Sequence, residues 1–268
     1  MKTFIITLTQ NQDSVRSAQQ AIDSAKAVGY QDEIEIFDAV TPEDWRDFLP
    51  FQHTFYNSPL PDNHYQRSRP DNVGACFASH YLLWKKCVEL NEPILILEHD
   101  AIFVDNIPEI DFNMCVNFGR PSYIRPKKMI YQEPKQGLHP LQQLNFFGHH
   151  AYALKPQAAK IFCQDVTTRI LTPNDIWMDK ETYPWLEDYR PHPVWADTDF
   201  STIQQEPLVP IRYDINTQQE VQDIPNVALP YRIEPHTPEH KYLMKHYPQC
   251  LTAPQSKRFI KVTKDAMS

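Results

Sequence analysis

The sequence predicts an α/β fold with a mixed, mostly parallel sheet flanked by helices. Four large apolar residues at 94–97, bounded by Pro93 and Glu98, are typical of a strand that is buried on both faces inside such a sheet. A strand, helix and strand also follow one another within about the first forty residues, the spacing of a parallel crossover. With 268 residues, 41% of them hydrophobic, the chain is long enough to bury one sizeable core.

The first unit of the chain is a βαβ unit. Residues 3–9 are expected to form a strand, and Ser14 is expected to cap a helix that Gly29 terminates. Residues 34–37 are expected to form the second strand. Ligands of open α/β sheets bind at the carboxyl ends of strands, so a site is expected where these strands end.

The clearest helix is predicted at 74–90, where Cys76, His80 and Cys87 recur on one face at helical spacing. Ser79 and His80 are neighbours in the sequence, and adjacent helical residues do not face each other. We therefore expect these two side chains to satisfy buried polar groups rather than to act as a nucleophile and its base.

The remaining segments are less regular. Residues 41–72 are rich in Pro, Asn, Asp and aromatic residues, which predicts a long insertion that could cover the site, with an ordinary packed insertion as the alternative. A short strand region is expected within 107–117, a strand at 146–154 and a helix at 157–163.

Two carboxylates follow the buried strand. In extended geometry, Glu98 and Asp100 point to the same side of the chain. Two acids held close together repel each other, so the pair requires a metal ion, a proton or a basic partner. A solvated acidic turn at the end of a strand is the alternative.

Composition excludes several classes of function. The net charge of −8 gives no general attraction to nucleic acids or acidic membranes. The five cysteines are widely spaced and odd in number, which favours reduced thiols in a cytoplasmic protein. The apolar stretch at the start is too short for a signal peptide, and no segment is long enough to span a membrane. A P-loop and a G-x-G-x-x-G fingerprint are both absent, so a metal ion is the expected phosphate partner.

Five blocks of the sequence, in order, resemble those of one enzyme family. Residues 76–85 resemble the GC-x-x-SH-x-x-x-W block of glycosyltransferase family 25, and residues 94–101 resemble its ILEDDA block. Residues 147–159, 172–178 and 192–203 resemble its G-x-HAY, P-V-D-x-x-M and P-x-x…S-x-I segments. The family contains bacterial lipooligosaccharide galactosyltransferases and collagen galactosyltransferases. The resemblance covers about residues 3–204.

The resemblance implies a GT-A-like, Rossmann-type core at residues 1–204 and a C-terminal extension at 205–268 that packs on this core. Two departures stand out: the central E-D-D of the family is Glu98, His99 and Asp100 here, and its GE-x-G segment becomes Asn72 to Ala75. The outer acids of an E-x-D metal clamp are kept.

The activity implied by the resemblance is metal-dependent, inverting transfer of a sugar from a nucleotide-diphosphate donor, uridine-linked in this family, to a hydroxyl acceptor. Glu98 and Asp100 would bind Mn²⁺ or Mg²⁺, because hard oxygen ligands suit these ions. The third metal ligand is left open among four residues, which are His99, His149, Asp197 and Asp199.

Asp175 is the expected catalytic base. It lies between Pro173 and an apolar run, at the entry of a helix where backbone N–H groups would keep its carboxylate ionised. A capping role alone is the alternative, and the family block favours catalysis.

The other expected contacts divide into donor and acceptor sides. The donor-binding residues expected are Thr7, Arg16, Asp38, His80 and His99. The acceptor-binding residues expected are His150, Tyr152, Arg125 and Lys127, the last two in a basic, aromatic loop at 120–135.

Three alternatives to a saccharide transferase remain open at this point. The loop at 120–135 also suits the backbone and bases of DNA, so hydroxymethylated bases of DNA are a second acceptor class. Replacement of E-D-D by E-H-D fits a non-catalytic homologue that binds a sugar or a nucleotide. A metal phosphoesterase fits the acids but lacks the second His/Asp cluster typical of two-metal sites.

Overall fold

The structure is a computed structural model of the chain. It describes residues 1–49, 70–120, 136–169 and 171–196, together with the backbone of 213–214 and 219–220. The insertion between 50 and 69, most of the basic loop at 120–135 and nearly all of the C-terminal extension lie outside the described residues.

The described helices are α1 Gln12–Ala27, α2 Trp45–Phe48, α3 Pro70–Leu90, α4 Pro156–Asp165 and α5 Asn174–Trp177. The strands are β1 Lys2–Thr7, β2 Ile34–Asp38, β3 Ile94–Glu98, β4 Ala101–Phe103, β5 Cys115–Asn117, β6 Gly137–Pro140, β7 Ala151–Leu154, β8 Leu186–Arg190, β9 Val194–Ala196, β10 Tyr213–Asp214 and β11 Gln219–Glu220.

The main sheet has seven strands in the order β2-β1-β3-β7-β5-β8-β6. Strands β1, β2, β3, β5 and β8 run in one direction, whereas β7 and β6 run in the opposite direction. The predicted mixed, mostly parallel sheet is therefore confirmed. Since β7 is antiparallel to β3, its first residues lie beside the carboxyl end of β3.

Strand β3 is buried on both faces, as its apolar run predicts. Ile94 and Ile96 belong to one hydrophobic cluster, which includes residues of α3 and α4. Leu95 and Leu97 belong to a second cluster, on the face covered by α1. Successive strand residues point to opposite faces, so one run of four side chains serves both layers of helix.

The first βαβ unit is confirmed, with one correction at the helix start. The side chain of Asn11, not Ser14, caps α1 by accepting hydrogen bonds from the backbone N–H groups of Asp13 and Ser14. Ser14 lies inside the helix, where its buried hydroxyl accepts from the backbone N–H of Leu8. Gly29 follows the helix with a φ of 83°, as expected for a terminator.

Helix α3 is longer than expected, since it begins at Pro70 rather than at residue 74. Its buried face contributes Trp84, which stacks on Trp177 at 5.6 Å between ring centroids and lies 4.9 Å from the ring of Phe162. This aromatic packing connects α3 to α4 and α5. It holds α3 against one face of the sheet, where α3 packs on side chains of β3 and β7.

Two of the observed strands are shorter than the strands predicted from the sequence. Of 107–117, only Cys115–Asn117 forms a strand, and of 146–154, only Ala151–Leu154 does. The predicted helix at 157–163 is confirmed as α4. Among the residues that the structure describes, no helix has the length and apolar character needed to cross a membrane.

We predict that Gly74→Ala destabilises the protein. On an open helix this change would stabilise by about 0.5–1 kcal/mol. Here the new Cβ would lie 2.5 Å from Cδ2 of the buried Trp45 indole, and overpacking of this kind costs about 1–3 kcal/mol. Urea denaturation measures the free energy of unfolding.

Glu89→Ala, an exposed change on the same helix, is the matched control and should alter stability by less than about 0.5 kcal/mol. If Gly74→Ala is as stable as the unmodified protein, the close packing of α3 on Trp45 is incorrect.

Candidate active site

Glu98 lies at the carboxyl end of β3, and its side chain is 19% exposed. Its Oε1 is 3.2 Å from Nε2 of His80 and 3.1 Å from Nε2 of His149. The backbone N–H of Glu98 donates to the carbonyl oxygen of His150 at 2.8 Å. The turn that precedes the antiparallel β7 thus brings two histidines to the end of β3.

The imidazoles keep the Glu98 carboxylate ionised. Burial alone would raise the pKa of this carboxyl, but His149, His80 and His150 outweigh it and hold the pKa below its usual range. Burial in turn lowers the pKa of His149, and it lowers the pKa of His150 to about 4. Glu98 is therefore held as a carboxylate beside His149 and His150.

A chain of buried hydrogen bonds leads from the core to Glu98. Nε1 of Trp84 donates to the hydroxyl of Tyr152 at 2.8 Å, and this hydroxyl is 2.9 Å from Nδ1 of His80. Nε2 of His80 then contacts Glu98. The side chains of Trp84, Tyr152 and His80 are fully buried.

Four side chains around Glu98 could hold a metal ion. One ligand atom from each of Cys76, His80, Glu98 and His149 lies within 4.8 Å of the others. Cys76 and His80 come from consecutive turns of α3, so they project from the same face of that helix. Burial raises the pKa of the Cys76 thiol well above its ordinary value, and the charges of Glu98, Asp175 and Asp100 raise it further.

The charges of the three predicted acids, Glu98, Asp100 and Asp175, all act on the Cys76 thiol. Asp100 is in a turn between β3 and β4, so the expected extended Glu98-x-Asp100 geometry is interrupted, and its carboxylate is outside the four-residue cluster. Asp175 is half-buried in α5. Burial raises its pKa, and the Glu98 charge adds to this effect, although His149 and backbone N–H groups act in the opposite direction.

At the helix entry, backbone N–H groups were expected to keep Asp175 ionised and so to limit its basicity. The backbone N–H contacts are present, but burial outweighs them, so the net shift makes Asp175 a stronger base.

A cleft opens beside Glu98, at the carboxyl ends of β1 and β3. Cys76, Ser79 and His80 of α3 line it, together with Glu98 and His99. Ser79 itself donates to the carbonyl oxygen of Ala75 and accepts from the backbone N–H of Val40, as expected for a structural polar group.

Only two of the five residues expected to bind the donor line the cleft. His80 and His99 line the cleft, and burial lowers the pKa of His99. Thr7 is fully buried, and its hydroxyl donates to the carbonyl oxygen of Ile5. Arg16 is exposed and pairs with Asp13.

Asp38 ends β2, where its carboxylate accepts a hydrogen bond from the Thr9 hydroxyl at 2.6 Å. It is exposed and does not line the cleft.

The two described residues that were expected to bind the acceptor, His150 and Tyr152, are both buried. The Tyr152 side chain is fully buried, and its hydroxyl is used inside the core, so it does not line a cleft. His150 is only 6% exposed and is packed so closely against Gly119 that a Cβ there would lie 2.8 Å from its Nε2. Arg125 and Lys127 lie outside the described residues, as do Asp197 and Asp199.

Cys76 and Trp84 have no role that the sequence predicts, and His149 was only one of four candidates for the third metal ligand. A signal for Cys76 existed, because it precedes His80 by one helical turn. Nothing in the sequence indicated that Trp84 would contact Tyr152, since 68 residues separate them.

Comparison with solved structures finds distant similarities. A197 from STIV is 13% identical, with a TM-score of 0.37 over 70% of this chain and 81% of that chain. Galactosyltransferase LgtC, in complex with donor and acceptor sugar analogs, is 11% identical, with a TM-score of 0.33 over 69% of this chain and 63% of its own. A mutant Drosophila β-1,4-galactosyltransferase 7, in complex with manganese, UDP-Gal and xylobiose, is 13% identical, with a TM-score of 0.33 over 84% and 76%.

Among curated proteins no match was found. The family model described as glycosyltransferase family 25 (LPS biosynthesis protein) matches residues 1–178, which is more than half of the chain. The GT-A-like α/β architecture expected from the sequence agrees with this match. The protein therefore belongs to glycosyltransferase family 25 and is a transferase enzyme.

Proposed function

We propose that the protein transfers a sugar, with inversion of configuration, from a uridine-diphosphate donor to a hydroxyl of a saccharide acceptor, with the help of Mn²⁺ or Mg²⁺. The observation that supports this most is that Glu98 and Cys76 line one cleft, and that the charges of Glu98, Asp175 and Asp100 all raise the pKa of this thiol. Several negative charges that act on one buried site favour a cation there.

The residues at the end of β3 fit a divalent cation. Glu98 is ionised by its histidine neighbours, and Asp100 follows two residues later in the turn. Carboxylate oxygens are the ligands that Mn²⁺ and Mg²⁺ prefer. Such an ion, when bound, would neutralise the negative charge that develops on the departing diphosphate.

Asp175 would act on the acceptor. The hydroxyl that attacks the sugar must lose its proton as the new bond forms, and a carboxylate with a raised pKa is well suited to take it. An attack opposite to the leaving diphosphate inverts the configuration at the reacting carbon. His99, which lines the cleft, would contact the donor, whereas both ring nitrogens of the buried His80 already have partners in the protein.

The acceptor that we favour is a saccharide of the lipopolysaccharide type, since the matched family is described in those terms. The DNA alternative depended on the basic loop at 120–135, most of which is outside the described residues. No observation in the described part of the chain favours it.

We predict that Asp175→Asn reduces the transfer rate by about 10²-fold or more, because removal of a general base has this effect. Binding of UDP should change little. Transfer of radiolabelled sugar from UDP-sugars to lipooligosaccharide fragments measures the rate. Asp111→Asn, at an exposed carboxylate that pairs with Lys155, is the control. Transfer by Asp175→Asn at the unmodified rate would remove Asp175 from the mechanism.

We predict that a chelator stops transfer and that added Mn²⁺ restores it. The Asp100→Ala variant should need at least about tenfold more Mn²⁺ to reach its half-maximal rate, because it has lost a charged ligand of the ion. Donor hydrolysis at a series of Mn²⁺ concentrations provides the measurement. Equal turnover by both proteins would exclude the metal mechanism, and no turnover by either would favour a non-catalytic sugar- or nucleotide-binding protein.

The pH dependence of transfer should report Asp175. A base acts in its ionised form, so the rate is full above the pKa of this carboxyl and is lost as the pH falls through it. Because burial raises this pKa above 3.8, the acid limb of the kcat profile should lie above that value. A rate that stays constant down to pH 3.8 would contradict this assignment.

A further inference from the structure

The hydrogen-bond chain behind Glu98 has a defined direction. An indole nitrogen can only donate, so the contact from Trp84 occupies an acceptor position of the Tyr152 hydroxyl. The Tyr152 O–H must then find its own acceptor. In the part of the chain that the structure describes, the other partner of this buried hydroxyl is Nδ1 of His80.

The direction of the chain fixes the tautomer of His80. If Nδ1 accepts from Tyr152, the proton of a neutral imidazole is on Nε2, which donates to Oε1 of Glu98 at 3.2 Å. Every donor then meets an acceptor. In the opposite tautomer, Nδ1–H and the indole N–H would both point at the Tyr152 oxygen, and the buried phenolic proton would lack an acceptor, which is costly.

We propose that Trp84, Tyr152 and His80 are positioning residues that hold the Glu98 carboxylate in one orientation, with His80 as its hydrogen-bond donor and not a metal ligand. Both imidazole contacts involve Oε1, and Oε2 is the oxygen that we assign to the cation. The ion is then held by oxygen ligands, although a thiol and imidazoles lie within reach.

This proposal connects three blocks of the sequence. The helix block supplies His80 and Trp84, the strand block supplies Glu98, and the block around β7 supplies Tyr152. The inference rests on the proposed function for the use of Glu98 as a cation ligand, whereas the tautomer of His80 can be measured without any transfer.

The first test is spectroscopic. Long-range ¹H–¹⁵N NMR of the metal-free, full-length protein should show His80 with a protonated Nε2 and an unprotonated Nδ1, and Tyr152→Phe should lose this preference. A proton on Nδ1 in the unmodified protein would overturn the proposal, because Nε2 would then be free to bind metal. This result would leave the proposed transfer reaction untouched.

The second test is Mn²⁺ affinity, measured by EPR of the free ion. Tyr152→Phe should weaken Mn²⁺ binding about tenfold or more, as is usual when a residue behind a ligand is removed, while the transfer rate at saturating Mn²⁺ recovers. Tyr183→Phe is the matched control, because this buried tyrosine also uses its hydroxyl, with Asp165 and Arg169, in the same core. Equal affinities of the Tyr152→Phe variant and the unmodified protein would overturn the proposal.

If Tyr152→Phe does not fold, His80 provides a second comparison. His80→Gln keeps an N–H donor toward Glu98 and should bind Mn²⁺ within about threefold of the unmodified protein, whereas His80→Leu should bind about tenfold more weakly. An amide is a poor substitute for an imidazole ligand, so equally weak binding by both variants would identify His80 as a metal ligand. If the unmodified protein binds no Mn²⁺, the cation in the proposed function fails and the NMR result alone decides the role of His80.

Discussion

The arrangement of this site depends on keeping a carboxylate ionised at the end of a buried strand. Desolvation disfavours the charge on Glu98, and the surrounding imidazoles more than compensate. The imidazoles come from α3 and from the turn before β7, and α3 and β7 contact each other through Trp84 and Tyr152. The packing of α3 on β7 thus places imidazoles around the negative charge of Glu98.

Much of the fold could be predicted because local patterns determine it. The apolar run at 94–97 indicated a buried strand, and the helical spacing of Cys76 and His80 indicated α3. The cap of α1 was assigned to Ser14 instead of Asn11, since both residue types cap helices and the sequence does not say which backbone N–H groups lie within reach.

The candidate site was only partly predictable, because its contacts cross long stretches of sequence. Glu98 and Asp100 were indicated by their position at the end of a buried strand, and Asp175 by its place at a helix entry together with the family block. The contact between His80 and Tyr152 spans 72 residues and depends on the order of strands in the sheet. Tyr152 was expected to face an acceptor, yet residues of β7 alternate between the two faces, and its side chain is turned toward α3.

Because β7 is antiparallel to β3, the register of this strand pair determines which residues before β7 lie beside Glu98. Ala151 pairs with Leu97, and Tyr152 pairs with Ile96. A slip of one residue would exchange the two faces of the strand, removing the phenol from the core and carrying the histidine pair past the carboxylate. Insertions or deletions in the segment from 141 to 150 are therefore tolerable only where they leave this alignment, and with it the position of His149 beside Glu98, intact.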